Sequence, residues 1–184
     1  MNFGRLGVLV AAWSLLGATV ARAESQETVA PVRADRPILV GVSLSGPWMA
    51  SHDVTIPLPS VRVGVNVSPR LALDLTAGTL SHDVGGRWTM FDLGARWFFA
   101  GGPLGPYALA RVGAFHSKPD EGEGAHLTYP LAAVGGGLEY TCRCGFAAWA
   151  EAGPALFRYT DGKAHSAAGG VYMSLGVGYR IPTR

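Results

Sequence analysis

The sequence predicts an all-β fold, an eight-stranded antiparallel up-and-down barrel that crosses a membrane with its strands. Three observations predict it. Charged residues make up only 15% of the chain, against roughly 25% in soluble domains. Yet beyond residue 23 no apolar run approaches the roughly 20 residues of a spanning helix. Apolar residues instead alternate with small or polar ones over eight stretches, and a period of two puts successive side chains on opposite faces of a strand. The links between the stretches alternate short and long, which gathers short turns at one rim and long loops at the other.

The first element is not part of the barrel. "MNFGRLGVLVAAWSLLGATVARA" has a basic start at Arg5, an apolar stretch from Leu6 to Val20, and Ala21-Arg22-Ala23 as a small-x-small cleavage site, so residues 1–23 read as a removed secretory signal. A retained anchor would need a longer apolar stretch, and no cysteine follows the cleavage site to carry a lipid. Without Arg5 and Arg22 the 15 basic residues fall to match the 13 acidic ones, which removes any overall electrostatic footprint for nucleic acid. Residues 24–36 are polar, proline-bearing and aperiodic, and are expected to be a flexible tail. Residues 37–184 suit one domain.

Within that domain the first strand is expected over Pro37 to Gly46, with Ile38, Val40, Val42 and Leu44 on one face. The second, Ser60 to Ser68, alternates four valines with Arg62, Gly64 and Asn66. "SPR" turns into the third, Leu71 to Leu80, which sets Leu71, Leu73, Leu75 and Ala77 opposite Ala72, Asp74, Thr76 and Gly78. The fourth, Trp88 to Ala100, sets Phe91, Leu93, Ala95, Trp97 and Phe99 opposite Met90, Asp92, Gly94 and Arg96. After the Gly/Pro turn "GGPLGP", the fifth, Tyr107 to His116, is less clear, but Ala108, Ala110, Val112 and Ala114 share a face without Arg111. The sixth, His126 to Thr141, sets Ala132, Val134, Gly136, Leu138 and Tyr140 against Ala133, Gly135, Gly137 and Glu139. The seventh runs from Phe146 to about Tyr159, with Trp149, Glu151 and Gly153 on its second face, and Pro154 weakens its later half. The eighth is "VYMSLGVGYRI", Val171 to Ile181. Its links "PWMASHDVTIPLP", "SHDVGGR", "SKPDEGEGA" and "TDGKAHSAAGG" are expected as the longer loops, and "SPR", "GGPLG" and "CRCG" as the short turns.

The charges decide which face is inside. Arg62, Asp74, Asp92, Arg96, Arg111, Glu139, Glu151 and Arg180 all fall on the non-oily face, four arginines against four carboxylates. An interior charge needs a partner, since an unpaired buried charge is costly, and the equal count fits an interior network. Arg158 breaks the pattern in strict register, which a bulge or the start of the loop past Pro154 would reset. The oily face is nearly charge-free and ends in Trp97, Phe99, Tyr140 and Tyr179, as an interfacial girdle would. It is expected to meet lipid, and hydrocarbon cannot satisfy an open sheet edge, so the sheet must close.

The strand pattern over about residues 37 to 181, with "GPYALARVGAF", "GGGLEY" and the terminal "LGVGYRI", resembles the OmpA-type and OmpX-type small outer-membrane β-barrels of Gram-negative bacteria. The resemblance implies an outer-membrane location, insertion by the barrel-assembly machinery, lipid as surrounding partner, a periplasmic N-terminal tail, extracellular long loops and a monomeric barrel. Two departures stand out. The chain runs on through Pro182 to Arg184 rather than finishing on an aromatic residue, and no peptidoglycan-binding domain follows, so no cell-wall tether is expected.

Few residues suggest chemistry. His52, His82, His116, His126 and His165 lie in or beside the long loops, and "SHDV" occurs twice, but no close ligand pair argues for a metal. Cys142 and Cys144 in "CRCG" can pair in an oxidising compartment, although a bridge between residues two apart is strained; they read as a structural or incidental pair. Some related barrels are lipid A deacylases with a His-x-Ser pair and a carboxylate. The nearest match is His126-Leu127-Thr128 with Glu139, where threonine replaces serine and the carboxylate faces inward. The acidic "DEGEG", Asp120 to Gly124, reads as a solvated charge run. No enzyme, catalytic residue, metal site or cofactor is therefore expected. The function expected is that of a structural or surface-interaction protein whose loops present any binding surface. The alternatives are a narrow porin-like pore, or a secreted lipocalin-like barrel with its oily face around an apolar ligand.

Overall fold

The structure, a computed structural model, describes residues 32–49, 54–55, 57–82, 86–118, 127–161 and 164–183. A single helical turn, α1 (Val32–Asp35), precedes the described strands β1 (Ile38–Met49), β2 (Val54–Thr55), β3 (Leu58–Asn66), β4 (Leu71–His82), β5 (Gly86–Phe98), β6 (Leu104–Lys118), β7 (Leu127–Thr141), β8 (Phe146–Asp161) and β9 (Ala164–Ile181). Eight of these form a closed antiparallel ring. From β3 onward each pairs with the next in sequence, β1 pairs with β3, and β1 closes on β9 from Ile38↔Ile181 to Trp48↔Val171. The short β2 only extends the free end of β1, through Trp48↔Thr55 and Met49↔Val54.

The period of two is why these segments are strands, and it is kept in three dimensions. On β3 burial alternates residue by residue from Leu58 to Val65. Val61, Val63 and Val65 lie on the exposed outer surface while Arg62 is buried. Across the ring the outward row includes Val42, Leu75, Leu93, Val112, Val134, Leu156 and Leu175, all exposed. On β9 the outward positions run from Val171 to Ile181. At about 3.3 Å per residue and a tilt near 40°, that covers about 25 Å, the height of a membrane-spanning apolar band. Trp97, Phe99, Tyr140 and Tyr179 face outward toward the short-turn rim.

Several elements differ from expectation. The segments read as long loops after the third and seventh strands largely continue as paired strand: β4 and β5 pair out to His82↔Gly86, and β8 and β9 out to Asp161↔Ala164. Backbone pairing needs no apolar alternation, so these hairpins continue past the point where the sequence pattern stops. No bulge follows Pro154 either. The β8–β9 register is unbroken from Phe146↔Tyr179 onward, and Arg158 sits exposed on the outer face. Residues 32–36, expected within the flexible tail, pack against the short-turn end of the barrel. Asn66 donates to the Arg33 carbonyl at 2.9 Å, and Arg180 donates to the Arg36 carbonyl at 3.3 Å. Residues 1–31, His52, His126 and the "DEGEG" segment lie outside the described residues.

Candidate functional site

The lumen holds the chain's densest chemistry. Inward positions of seven strands supply the charges: Arg62 from β3, Asp74 from β4, Asp92 and Arg96 from β5, Arg111 from β6, Glu139 from β7, Glu151 from β8 and Arg180 from β9, all buried. They form one connected ionic network. Glu139 receives Arg96 at 2.6 Å and Arg180 at 2.6 Å. Asp74 receives Arg96 at 2.7 Å and Arg111 at 2.8 Å, with Arg62 at 3.8 Å. Arg111 also reaches Asp92 at 2.6 Å and Glu151 at 2.7 Å, and Glu151 is held by Arg62 as well. The Tyr107 hydroxyl donates to Glu151 at 2.8 Å, and Thr141 donates to Glu139 at 3.0 Å.

Arg33 is the member that sequence reasoning missed. Its Nε donates to Glu139 at 3.1 Å and its Nη2 to the Glu139 carbonyl at 3.1 Å, and its guanidinium lies 4.4 Å from the centre of the Phe98 ring. Among the described residues the interior therefore carries five arginines against four carboxylates, and Glu139 serves three of them. No periodicity marks residue 33. The only available signal was that an arginine sits in an otherwise weakly patterned segment just ahead of the first strand.

Space for these groups comes from small neighbours. A Cβ on Gly94 would lie 2.7 Å from Arg111 Nη1 and 2.8 Å from Asp74 Oδ1, so only glycine leaves room for that ion pair. Beside the network a hydroxyl chain links Ser43, Ser45 and Ser174 at 2.8 Å per step, and Arg62 donates to Ser174 at 3.2 Å. Toward the opposite end the inward positions become apolar. Leu58, Met90, Phe115, Leu131, Phe157 and Tyr172 form one buried cluster, with Leu80, Trp88 and Tyr129 packed against it.

The other residues singled out in the sequence are dispersed. Thr128 lies on the outer surface, where it is hydrogen-bonded to His116 Nδ1 at 2.9 Å, whereas Glu139 is buried in the lumen. The two are about 35 Å apart along one strand at ~3.3 Å per residue and do not meet. Cys142 and Cys144 are bonded to each other, with Cα atoms 5.2 Å apart, in the β7–β8 turn. With charges inside and valines and leucines outside, the lipocalin-like arrangement is reversed: the oily face surrounds the barrel instead of lining it.

No protein-family model matches the sequence, and no curated protein matches it. Among solved structures, the N-terminal β-barrel domain of OprF from Pseudomonas aeruginosa is similar with a TM-score of 0.57 and 20% identity, over 79% of this chain and 97% of that one. The chain has the fold of the small outer-membrane β-barrels. Neisserial surface protein A is similar at a TM-score of 0.49 and 16% identity, over 79% of this chain and 96% of that one. Ail, the attachment invasion locus protein of Yersinia pestis, is similar at 0.47 and 17%, over 79% and 97%. Closure leaves the eight-stranded ring without an open edge.

Proposed function

We propose that the chain is an integral outer-membrane protein, exported by a cleaved signal at residues 1–23, whose barrel over residues 37–184 is closed to solute flow and has a structural or surface-interaction role. The observation that carries this reading is the two-faced wall: an exposed apolar belt outside and, inside, an ionic network in which every arginine lies against a carboxylate. A pore needs mobile water along its axis. Here guanidinium and carboxylate groups bridge the lumen between β3 and β8 and between β5 and β7, and the apolar cluster fills the far end. That packing favours a plug over the porin-like alternative.

In this reading the short-turn rim faces the periplasm, residues 24–36 begin there, and α1 closes that mouth. The opposite rim faces outward and offers whatever surface a partner meets. Lipid surrounds a single barrel, which the barrel-assembly machinery inserts. The role is not enzymatic. Expression with the signal, followed by outer-membrane fractionation and SDS gels with and without boiling, tests the core of this reading. A membrane-resident band whose mobility shifts on heating is expected, together with no steady conductance in planar bilayers. A soluble band without a shift would overturn the membrane assignment, and sustained channel currents would overturn the plug.

A further inference from the structure

The barrel makes no evident use of its cysteine pair, and three observations at that turn point to chemistry. The turn is held without sulfur. Cys142 N–H donates to the Phe146 carbonyl at 2.9 Å, Gly145 N–H to the Cys142 carbonyl at 3.0 Å, and Arg180 N–H to the Gly145 carbonyl at 2.7 Å. Gly145 supplies the left-handed φ of 96° that the turn requires. A link between residues two apart also removes little freedom from the unfolded chain, because loop-closure stabilisation grows with loop length.

The pair is also accessible, and its turn carries one arginine and is reached by another. Cys144 and Arg143 are exposed and Cys142 is half-buried. Arg143 stands between the two sulfurs in sequence, and Arg36 reaches the same turn: a Cβ on Gly145 would lie 2.6 Å from Arg36 Nη1. Cationic neighbours favour thiolates. Stabilising the reduced form makes a disulfide a stronger oxidant, and exposed bridges are among the labile ones.

We propose that Cys142–Cys144 is a thiol–disulfide exchange site whose reductant is an accessible dithiol on another protein, with small thiols able to substitute for it. A thiolate of the dithiol attacks Cys144 Sγ. The Cys142–Cys144 bond breaks, Cys142 leaves as a thiolate, and a mixed disulfide joins Cys144 to the reductant. The second thiolate of the reductant then attacks its own sulfur in that mixed disulfide and expels Cys144. Two electrons pass to the turn, which becomes a dithiol, the reductant becomes a disulfide, and the protons its thiols shed are taken up by Cys142 and Cys144.

The test uses the purified folded barrel in detergent micelles, equilibrated with mixtures of reduced and oxidised glutathione, with free thiols counted by alkylation and mass. Both cysteines are expected to become reduced in mixtures that leave structural disulfides of secreted proteins oxidised, while the heat-shifted gel mobility persists. Arg143→Gln with Arg36→Gln is expected to require about fivefold more reduced glutathione for half-reduction. A pair that stays oxidised until the barrel is denatured, or a midpoint unmoved by the arginine substitutions, would overturn the proposal. So would loss of the folded band in Cys142→Ser with Cys144→Ser, because the bond would then be serving the fold. Glutathione equilibration in micelles does not depend on which rim faces the periplasm, so its failure is distinct from failure of the membrane reading.

Discussion

The two halves of the lumen fill the same geometric space in opposite ways. From the middle to the short-turn end, inward positions carry the ionic network; toward the other end they carry Met90, Phe115, Leu131 and Phe157. Apolar packing is non-directional and tolerates repacking. Buried ions do not, because each guanidinium must meet particular oxygens at hydrogen-bond distance. The ionic half therefore specifies which strands face each other across the barrel, and the apolar half supplies burial that does not depend on exact partners.

The sharpest way to break this contrast is Glu139→Leu. It takes the carboxylate from Arg33 and Arg180 and leaves Arg96 only Asp74, and unfolding in urea from lipid vesicles should register a loss of about 5 kcal/mol. On the apolar side, Leu131→Ala should cost about 3 kcal/mol through a cavity, and a compensating larger neighbour should recover part of it, which no single change should do for Glu139→Leu. Arg33→Ala is expected to cost less, about 1.5 kcal/mol, because four arginines then face four carboxylates. A double-mutant cycle of Arg33→Ala with Glu139→Gln should show coupling of about 1 kcal/mol, and additive effects would mean α1 is not tied to the network. Ser174→Ala, which removes the shared end of the hydroxyl chain and of an Arg62 contact, should cost about 1 kcal/mol in the same urea assay. Thr128→Val, on the outer surface beyond both halves, should leave the urea midpoint within about 0.5 kcal/mol of the parent.

The same contrast explains what the sequence disclosed. Where inward residues are charged or small, as on β3 and β9, alternation is plain, and the eight strands and the inward charges could be read directly. Where the lumen turns apolar, both faces become hydrophobic. On β6 Phe115, in the far cluster, and Leu109, beside the network, both point inward while Ala110 and Val112 point outward, so the period fades, and this is the stretch whose pattern was least clear. Strand ends beyond the apolar belt carry no alternation, so the extended β8–β9 hairpin read as a loop. Arg33 was invisible for another reason. Its burial depends on a carboxylate 106 residues later in the chain, at a barrel mouth that exists only after closure.

Closure itself is the last consequence of the network. Glu139 on β7 is joined to Arg180 on the final strand and to Arg33 ahead of the first, and these two flank the seam where β1 meets β9. While that seam is open, Arg33 is parted from Glu139 and Arg62 on β3 from Glu151 on β8, and the inward face keeps unpaired charges. Sealing the wall and pairing the lumen's ions are therefore one event: a sheet that has not joined its ends carries the cost of its unpaired charges.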